Sequence, residues 1–215
     1  IIRVKSVISK RLDQDVAYIR IKNFNANTTS GVTKALSEMS DKAPLRGLVL
    51  DLRSDPGGLL SQAIRVSDLF LSEGVIVTTV GKAGTVREEK KASAKRTRAD
   101  LPIVVLVDGA SASASEIVAG ALKYSGRGVV VGERTFGKAT VQELYEIAEG
   151  ALKLTVAQYL TPGDVLIQNV GITPDVALYP VVVQAEQNAL YENELESFGE
   201  ADLEGTIEND GARIG

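Results

Sequence analysis

The sequence contains no histidine and no cysteine. The absence of cysteine excludes thiolate catalysis, disulfide bonds and metal sites built from thiolates. Without histidine as well, a metal would have only carboxylate ligands, and no acidic cluster has the spacing of a calcium-binding loop. We therefore expect neither a metal nor a cofactor. A hydroxyl nucleophile in this chain needs a base other than histidine, and a lysine withdrawn from water is one of the few side chains that remain.

Long hydrophobic runs are missing too. The longest apolar runs have five or six residues, whereas a membrane-spanning helix needs about 20. The chain opens with Ile1 and has no signal peptide, so we interpret it as a mature or trimmed fragment. Apolar residues make up 44% and charged residues 24% of its 215 residues. These proportions are typical of a soluble globular protein with one large or two small domains.

Charge is distributed unevenly along the chain. Residues 186–215 contain nine acidic residues and one arginine, a net charge of −8, so the remainder carries about +4. We expect a solvated acidic segment there. Residues 81–100 are rich in lysine and arginine but contain no aromatic residue. This composition favours an exposed, solvated loop over a nucleic-acid-binding arm, and we expect no nucleic acid partner.

Short runs rich in valine and isoleucine alternate with helical patterns. The pattern predicts strands at 16–21, 47–53, 74–80, 103–107 and 128–132, and helices near 29–40, 59–71 and 113–124. Such alternation is typical of an α/β fold with a mostly parallel sheet and flanking helices. Residues 139–160 differ, because apolar residues alternate there on both sides of Glu149-Gly150. That pattern predicts a β-hairpin.

One segment resembles part of a phosphate-binding loop. Gly132 to Lys138 (GERTFGK) follows an apolar strand, as such a loop should. The next residue is Ala139, however, where a phosphate-binding loop needs a hydroxyl to hold Mg²⁺. The residues beyond it have a β-like pattern and do not begin a clear helix. Nucleotide binding is therefore disfavoured.

Three serines lie at a junction between a predicted strand and a predicted helix. Ser111, Ser113 and Ser115 follow the strand at 103–107. A nucleophile at this place lies at a helix N-terminus, where free backbone N–H groups can stabilise an oxyanion. A serine here can equally cap the helix, and three serines leave room for both roles. The S-x-x-K and G-x-S-x-G arrangements of other serine enzymes are absent.

A second loop with chemical potential is Asp51-Leu-Arg-Ser-Asp-Pro-Gly-Gly58. Its glycine pair permits positive φ and a close approach of the backbone to a ligand, although it also suits an ordinary tight turn. In parallel sheets, ligands bind at the carboxyl ends of the strands. The strands at 47–53, 103–107 and 128–132 all end in candidate loops, so we expect these loops to lie together at one edge of the sheet.

Three segments occur in a fixed order: LDLRSDPGG (50–58), SASASE (111–116) and FGKATVQ (136–142). Together they resemble the carboxyl-terminal processing peptidases, or tail-specific proteases, which are serine peptidases with a crotonase-like core. The resemblance covers about residues 1–180 and includes the segment GITPD (171–175). It implies a peptidase core at 1–180, followed by the acidic C-terminal segment at 181–215.

The resemblance also implies roles for individual residues. Ser113 matches the nucleophile, Lys138 the general base, and Gln142 the glutamine that helps to hold the lysine. The oxyanion donors would be the Ala114 amide and one amide of the Pro-Gly-Gly turn, with Gly58 preferred to Gly57. Lys138 has to be neutral to accept a proton, and burial among apolar residues favours the neutral form of an amine.

The chain departs from the family pattern at two positions, with Ala139 where glycine is usual and Asp55 where asparagine is common. We expect neither residue to take part in the mechanism. Family members carry a PDZ domain that captures the C-terminus of the substrate. We expect that this domain was cut off or that this member does without it.

The family implies protein or peptide substrates bound by their C-terminal region, and a location outside the bacterial cytoplasmic membrane. Two alternatives to a peptidase stay open from the residues. One is a non-catalytic scaffold of the same fold that binds a peptide or an apolar ligand. The other is an acyl-CoA enzyme that uses the basic residues 82–98 to hold phosphates.

Overall fold

The computed structural model describes residues 5–81, 87–98, 100–179, 181–184, 189–192 and 198–207. Three helices and thirteen strands are present in this described part of the chain. The helices are α1 Thr28–Ser40, α2 Leu60–Asp68 and α3 Ala114–Tyr124. The strands are β1 Val7–Arg11, β2 Val16–Ile21, β3 Gly47–Asp51, β4 Val75–Gly81, β5 Arg87–Lys91, β6 Ile103–Val107, β7 Val129–Gly132, β8 Thr140–Ile147, β9 Gly150–Thr161, β10 Val165–Leu166, β11 Val176–Ala177, β12 Val181–Gln184 and β13 Ala189–Glu192.

The larger sheet has six strands in the order β1-β2-β3-β6-β7-β11. Every neighbouring pair in it is parallel except β1 and β2. Leu50 of β3 lies opposite Val105 of β6, and both side chains are fully buried. Strands buried in this way read as continuous apolar runs. The α/β fold with a mostly parallel sheet is therefore confirmed. Because β3, β6 and β7 are parallel neighbours, the loops that follow them meet at one edge, as expected.

A second sheet, which is antiparallel, has the order β10-β9-β4-β5, and β8 pairs with β9. The hairpin predicted at 139–160 is confirmed as β8 and β9. Strand β4 was predicted correctly, but it belongs to this sheet. The prediction of a solvated loop over 81–100 is wrong for part of that range, because β5 pairs with β4. The side chains of β5 are nevertheless mostly exposed. Residues 82–86 and 99 lie outside the described residues.

The helices fill the space between the two sheets. Helix α2 contacts both α1 and α3, and α3 contacts β7 of the larger sheet and β4 and β9 of the smaller one. Ile117, Val118 and Leu122 of α3 are buried, since residues spaced by three and four lie on one face of a helix. This packing fixes the direction of α3, and therefore the position of its first turn beside the loops. No helix of the described residues is long and apolar enough to cross a membrane.

Part of the acidic C-terminal segment is folded against the body of the protein. Phe198 contacts Phe136, with ring centroids 6.2 Å apart. The Glu200 amide donates a hydrogen bond of 2.9 Å to the Phe136 carbonyl, and the Glu200 side chain is buried. The side-chain amide of Asn169 donates to the Ile207 carbonyl. Residues 198–207 therefore do not form the solvated segment that was expected, because aromatic packing and backbone hydrogen bonds attach them to the rest of the protein. Residues 185–188, 193–197 and 208–215 lie outside the described residues.

Candidate active site

A cavity of about 360 Å³ lies where the loops after β3, β6 and β7 meet the base of the hairpin. Five of the six residues singled out from the sequence line this cavity: Gly58, Ser113, Ala114, Lys138 and Gln142. The remaining residue, Gly57, lies directly behind its wall. The other lining residues are Pro56, Leu59, Leu60, Ile117, Thr140, Val141, Lys153 and Tyr159. The structure therefore brings the three loops together around one space.

The three serines have different environments. Ser111 and Ser115 are fully buried. The Ser111 hydroxyl donates to the Leu52 carbonyl at 2.9 Å, and the Ser115 hydroxyl donates to the Asp55 carbonyl at 3.0 Å. Both therefore tie the loop after β6 to the loop after β3. Ser113 is partly exposed and lines the cavity, which leaves it as the serine of this cluster that a substrate can reach.

Ser113 has an unusual backbone conformation, with φ 55° and ψ −112°. Positive φ is rare in residues other than glycine, and such strain is found mostly at functional sites. The residue immediately precedes α3, so it stands at the positive end of the helix dipole. Its amide donates a hydrogen bond of 2.8 Å to the carboxylate of Glu116 one turn later. The sharp turn thus presents the Ser113 side chain at the end of the strand, even though the sequence lacks the G-x-S-x-G motif.

Glu116 connects the loop of Ser113 to the loop of Lys138. Its carboxylate is fully buried and accepts four hydrogen bonds. One oxygen accepts from the amides of Ser113 (2.8 Å) and Lys138 (2.9 Å). The other accepts from the Gly137 amide (2.7 Å) and the Thr135 hydroxyl (2.6 Å). Burial raises the pKa of Glu116 to about 7, against the lowering effect of these hydrogen bonds.

Tyr159 makes a second connection between the same two loops. Its ring is buried, and its hydroxyl lies 3.0 Å from the Ser113 carbonyl and in hydrogen-bonding contact with the Lys138 carbonyl. Burial raises the pKa of Tyr159 well above its usual value, and the charges of Glu116 and Glu200 raise it further. The phenol therefore stays protonated and remains a donor. Glu116 holds the amides of residues 113 and 138, and Tyr159 holds their carbonyls.

The turn after β3 determines which amides face the cavity. Asp55 is fully buried and accepts the Gly57 amide at 2.8 Å. The Gly57 carbonyl accepts from the Phe24 amide at 2.8 Å. Within the described residues, the amides of Gly58 and Ala114 donate to no protein acceptor, and both residues line the cavity. Among the described residues, the Gly57 amide is therefore occupied by Asp55, whereas the Gly58 amide is not hydrogen-bonded.

The glycine pair is required by close packing. A Cβ atom at Gly57 would lie 2.6 Å from the Ala112 carbonyl oxygen and 2.9 Å from the Ser113 Cβ atom. A Cβ atom at Gly58 would lie 2.2 Å from the Phe24 carbonyl oxygen. Both residues also have positive φ, 95° and 141°. The turn can therefore approach the Ser113 backbone only because side chains are absent.

Lys138 follows β7 and lines the cavity. It is partly buried, and within the described part of the chain its amine forms no ion pair. Gln142, the residue expected to hold this lysine, lies on β8 and lines the same cavity. Its amide nitrogen lies 3.5 Å from the Thr155 hydroxyl on β9, and its side chain is exposed. No hydrogen bond joins Gln142 to Lys138 among the contacts of the described residues.

Three residues of the site were missed from the sequence. Glu116 stands in the SASASE motif that was used for recognition, but no role was assigned to it. Tyr159 has no signal in the sequence, because its contacts come from the second sheet. Asp55 was expected to take no part in the mechanism, and its hydrogen bond with the Gly57 amide was not foreseen.

The sequence resembles those of a known family of enzymes. The sequence matches peptidase family S41 over residues 15–178. The chain belongs to this family. A carboxy-terminal-processing protease of Bartonella bacilliformis is 42% identical over 96% of the chain and 47% of its own length. A carboxyl-terminal-processing protease of Synechocystis is 43% identical over 82% of the chain and 41% of its own length.

Solved structures agree with this assignment. A photosystem II D1 C-terminal processing protease superposes on this S41 chain with a TM-score of 0.72 and 35% identity. The superposition covers 82% of the chain and 49% of that protein. The resemblance to carboxyl-terminal processing peptidases stated from the sequence is therefore confirmed. The chain spans about half the length of the relatives that it matches.

Proposed function

We propose that this S41 chain is the catalytic core of a serine endopeptidase that cleaves proteins near their C-terminus. The observation that carries the proposal is the placement of Ser113, Lys138 and two unoccupied amides around one cavity. A partly exposed serine, an amine without a counter-ion and free N–H donors are the groups that acyl transfer requires when histidine is absent.

In the proposed reaction, the Ser113 hydroxyl attacks the scissile carbonyl carbon, and neutral Lys138 accepts the hydroxyl proton. The amides of Ala114 and Gly58 donate to the oxyanion of the tetrahedral intermediate. Each such donor typically contributes about 3 kcal/mol to transition-state stabilisation. Lys138 then protonates the leaving amine as the C–N bond breaks. A water that loses its proton to Lys138 hydrolyses the ester formed on Ser113.

Glu116 and Tyr159 support this chemistry through the backbone. They hold residues 113 and 138 by their amides and carbonyls, so the side chains of Ser113 and Lys138 remain free to react. Gln142 lies close enough to the cavity to contact Lys138 after a change of rotamer, in keeping with the positioning role that the family implies. These neighbouring residues thus fix the positions of Ser113 and Lys138 without giving Lys138 a charged partner.

The test is labelling with a serine-directed fluorophosphonate, in the presence and absence of a substrate peptide. We expect one covalent adduct on Ser113, none in Ser113→Ala, and at least about a hundredfold slower labelling in Lys138→Ala. Lys91→Ala, at an exposed lysine of β5, is the matched control and should label like the unmodified chain. Circular dichroism checks that each variant is folded. Undiminished labelling of Lys138→Ala would exclude this mechanism, and no labelling under any condition would favour a non-catalytic binding scaffold.

Substrate class and location follow from the same proposal. The relatives' names support protein substrates that are trimmed at the C-terminus, and the family supports a location outside the bacterial cytoplasmic membrane. Mass spectrometry of a test protein incubated with the chain should show loss of C-terminal residues in unmodified protein and none with Ser113→Ala. Cell fractionation with antibody detection checks the location.

A further inference from the structure

Asp55 is a buried carboxyl group beneath the turn that carries Gly57 and Gly58. Its side chain is fully buried, and one carboxyl oxygen accepts the Gly57 amide at 2.8 Å. The other oxygen, Oδ2, is buried without a hydrogen-bond partner in the described structure. The backbone carbonyl of Asp55 accepts from the Ala112 amide and the Ser115 hydroxyl, both at 3.0 Å. Asp55 therefore joins the turn after β3 to the loop that carries Ser113.

The charged groups of this region do not neutralise Asp55. Arg53 is paired with Asp51 at 2.7 Å, on the other side of the turn. Asp108, in the loop after β6, accepts from Ser54. Arg20 of β2 donates to the Arg53 carbonyl at 3.2 Å. Glu116 accepts the amides of two loops, and Lys138 lines the cavity. A carboxylate at position 55 would thus be buried without a cationic partner, which is unfavourable.

We propose that Asp55 is a positioning residue for the oxyanion donor, and that it acts as a neutral carboxylic acid. This inference rests on the proposed peptidase function. Its surroundings support the neutral form, because the carboxyl group is fully buried and no cation pairs with it among the described residues. Burial also raises the pKa of Asp55 to about 7, while the Gly57 amide and the Ser115 hydroxyl lower it.

The geometry of the peptide group explains how Asp55 acts. The bond between Gly57 and Gly58 is planar and trans, so its C=O and N–H groups point in opposite directions. The Gly57 carbonyl is held by the Phe24 amide, and the Gly57 amide is held by Asp55. With both held, the Gly58 N–H is aimed at the cavity before a substrate arrives. Ionised Asp55 would place a negative charge behind the same turn and oppose the charge that develops on the oxyanion.

The test compares Asp55→Asn, which keeps the shape and stays neutral, with Asp55→Ala, which removes the acceptor. The rate of Ser113 labelling by a fluorophosphonate is measured between about pH 6 and pH 9, together with kcat and KM for hydrolysis of a peptide. All other ionisable groups are the same in every variant, so their effects cancel in the ratio of a variant to the unmodified chain. Asp68→Asn is the matched control, because the partly buried Asp68 also accepts a backbone amide, that of Ser93.

We expect Asp55→Ala to lower kcat about tenfold or more at every pH, with KM within about twofold. Asp55→Asn should match the unmodified chain within about threefold at about pH 6, and exceed it about fivefold or more at about pH 9. Asp68→Asn should follow the unmodified chain throughout. A ratio of Asp55→Asn to the unmodified chain that stays constant with pH would overturn the inference.

A second measurement needs no activity. Carbon-13 NMR of the labelled aspartate carboxyl carbons follows the protonation of Asp55 directly, and Asp55→Asn assigns its signal. Protonation near pH 7 supports the neutral form even if the chain proves not to be a peptidase. A signal already ionised at about pH 5 would refute the inference and leave the proposed peptidase function intact.

Discussion

Ser113, the proposed nucleophile, has a strained backbone, because its φ of 55° is a value that glycine adopts at little cost and other residues do not. We expect Ser113→Gly to be more stable than Ser113→Ala by about 1 kcal/mol, since alanine keeps the strain and glycine relieves it. Urea unfolding at equilibrium measures the difference. Ser37, an exposed residue inside α1, is the control, and there glycine should be less stable than alanine by about 1 kcal/mol. Equal stabilities of the two variants at position 113 would show that the conformation carries no strain.

Glu116 offers a second test at the scale of single residues. In the unmodified chain, each carboxylate oxygen of Glu116 accepts from two donors. In Glu116→Gln, an NH₂ group replaces one of these oxygens. The isosteric change should therefore lower the free energy of unfolding by about 2–4 kcal/mol and slow acylation by Ser113. Glu38→Gln, at an exposed ion pair with Lys34, should change stability by less than about 0.5 kcal/mol. Chemical denaturation of both variants checks this, and a loss as small as that of Glu38→Gln would contradict the role of Glu116.

Residues 198–207, the acidic strap, form a separate element that supports the Lys138 loop. Phe198 is 60% exposed yet packs on Phe136, two residues before Lys138. Phe198→Ala should destabilise the protein by only about 0.5–1 kcal/mol but slow acylation about threefold or more, because the lysine loop loses a support.

Hydrogen exchange distinguishes this effect from general destabilisation. The amides of Gly137 and Lys138 are bonded to Glu116, so faster exchange of these two amides reports loosening of the loop. Tyr179→Ala, which removes an aromatic residue that is 71% exposed, is the control. If Phe198→Ala and Tyr179→Ala exchange alike at 137 and 138, the acidic strap does not support the loop.

The whole molecule should respond to pH through its two buried acids. The pKa values of Asp55 and Glu116 are both raised to about 7 by burial, from ordinary values of 3.8 and 4.5. The folded state therefore holds protons that the unfolded chain releases, so the contribution of these two acids to stability is fully present below about pH 4 and is lost as pH rises towards 7. The pKa values of Asp51 and Asp175 are lowered, and they matter only in the acid range.

We expect the free energy of unfolding to fall by about 5 kcal/mol between about pH 5 and pH 8, with the two acids contributing about equally. Urea titrations of the unmodified chain measure this change. The loss should be smaller in Asp55→Asn, which has one titrating acid fewer. A stability that is flat or rising over this range would show that the two acids are ionised in the folded protein.

The larger sheet could be predicted from the sequence because the residue patterns that indicate its strands are local. Fully buried strands such as β3 and β6 read as apolar runs, and parallel order places their loops at one edge. The pairing of β4 with β9 and the contact of Tyr159 with Ser113 could not be predicted. They join residues about 80 and 46 positions apart through a second sheet whose packing leaves no periodic signal.

The acidic strap shows the limit of an argument from composition. The net charge predicted solvent exposure for the segment as a whole. Phe198 and the buried Glu200 are exceptions, because the contacts of single residues hold this part of the segment against the protein. Asp55 is a similar case. In the sequence it is an ordinary turn residue, and a role for it can be inferred only once its burial is known.

Glu116 and Tyr159 form hydrogen bonds to the main chain at positions 113 and 138. These bonds do not involve the side chains of the proposed nucleophile and base. Removing both reactive groups should therefore leave the cleft in its working shape. A Ser113→Ala, Lys138→Ala double variant would then retain bound polypeptides without cutting them. Such a variant offers a trap with which the natural targets of this protein can be isolated.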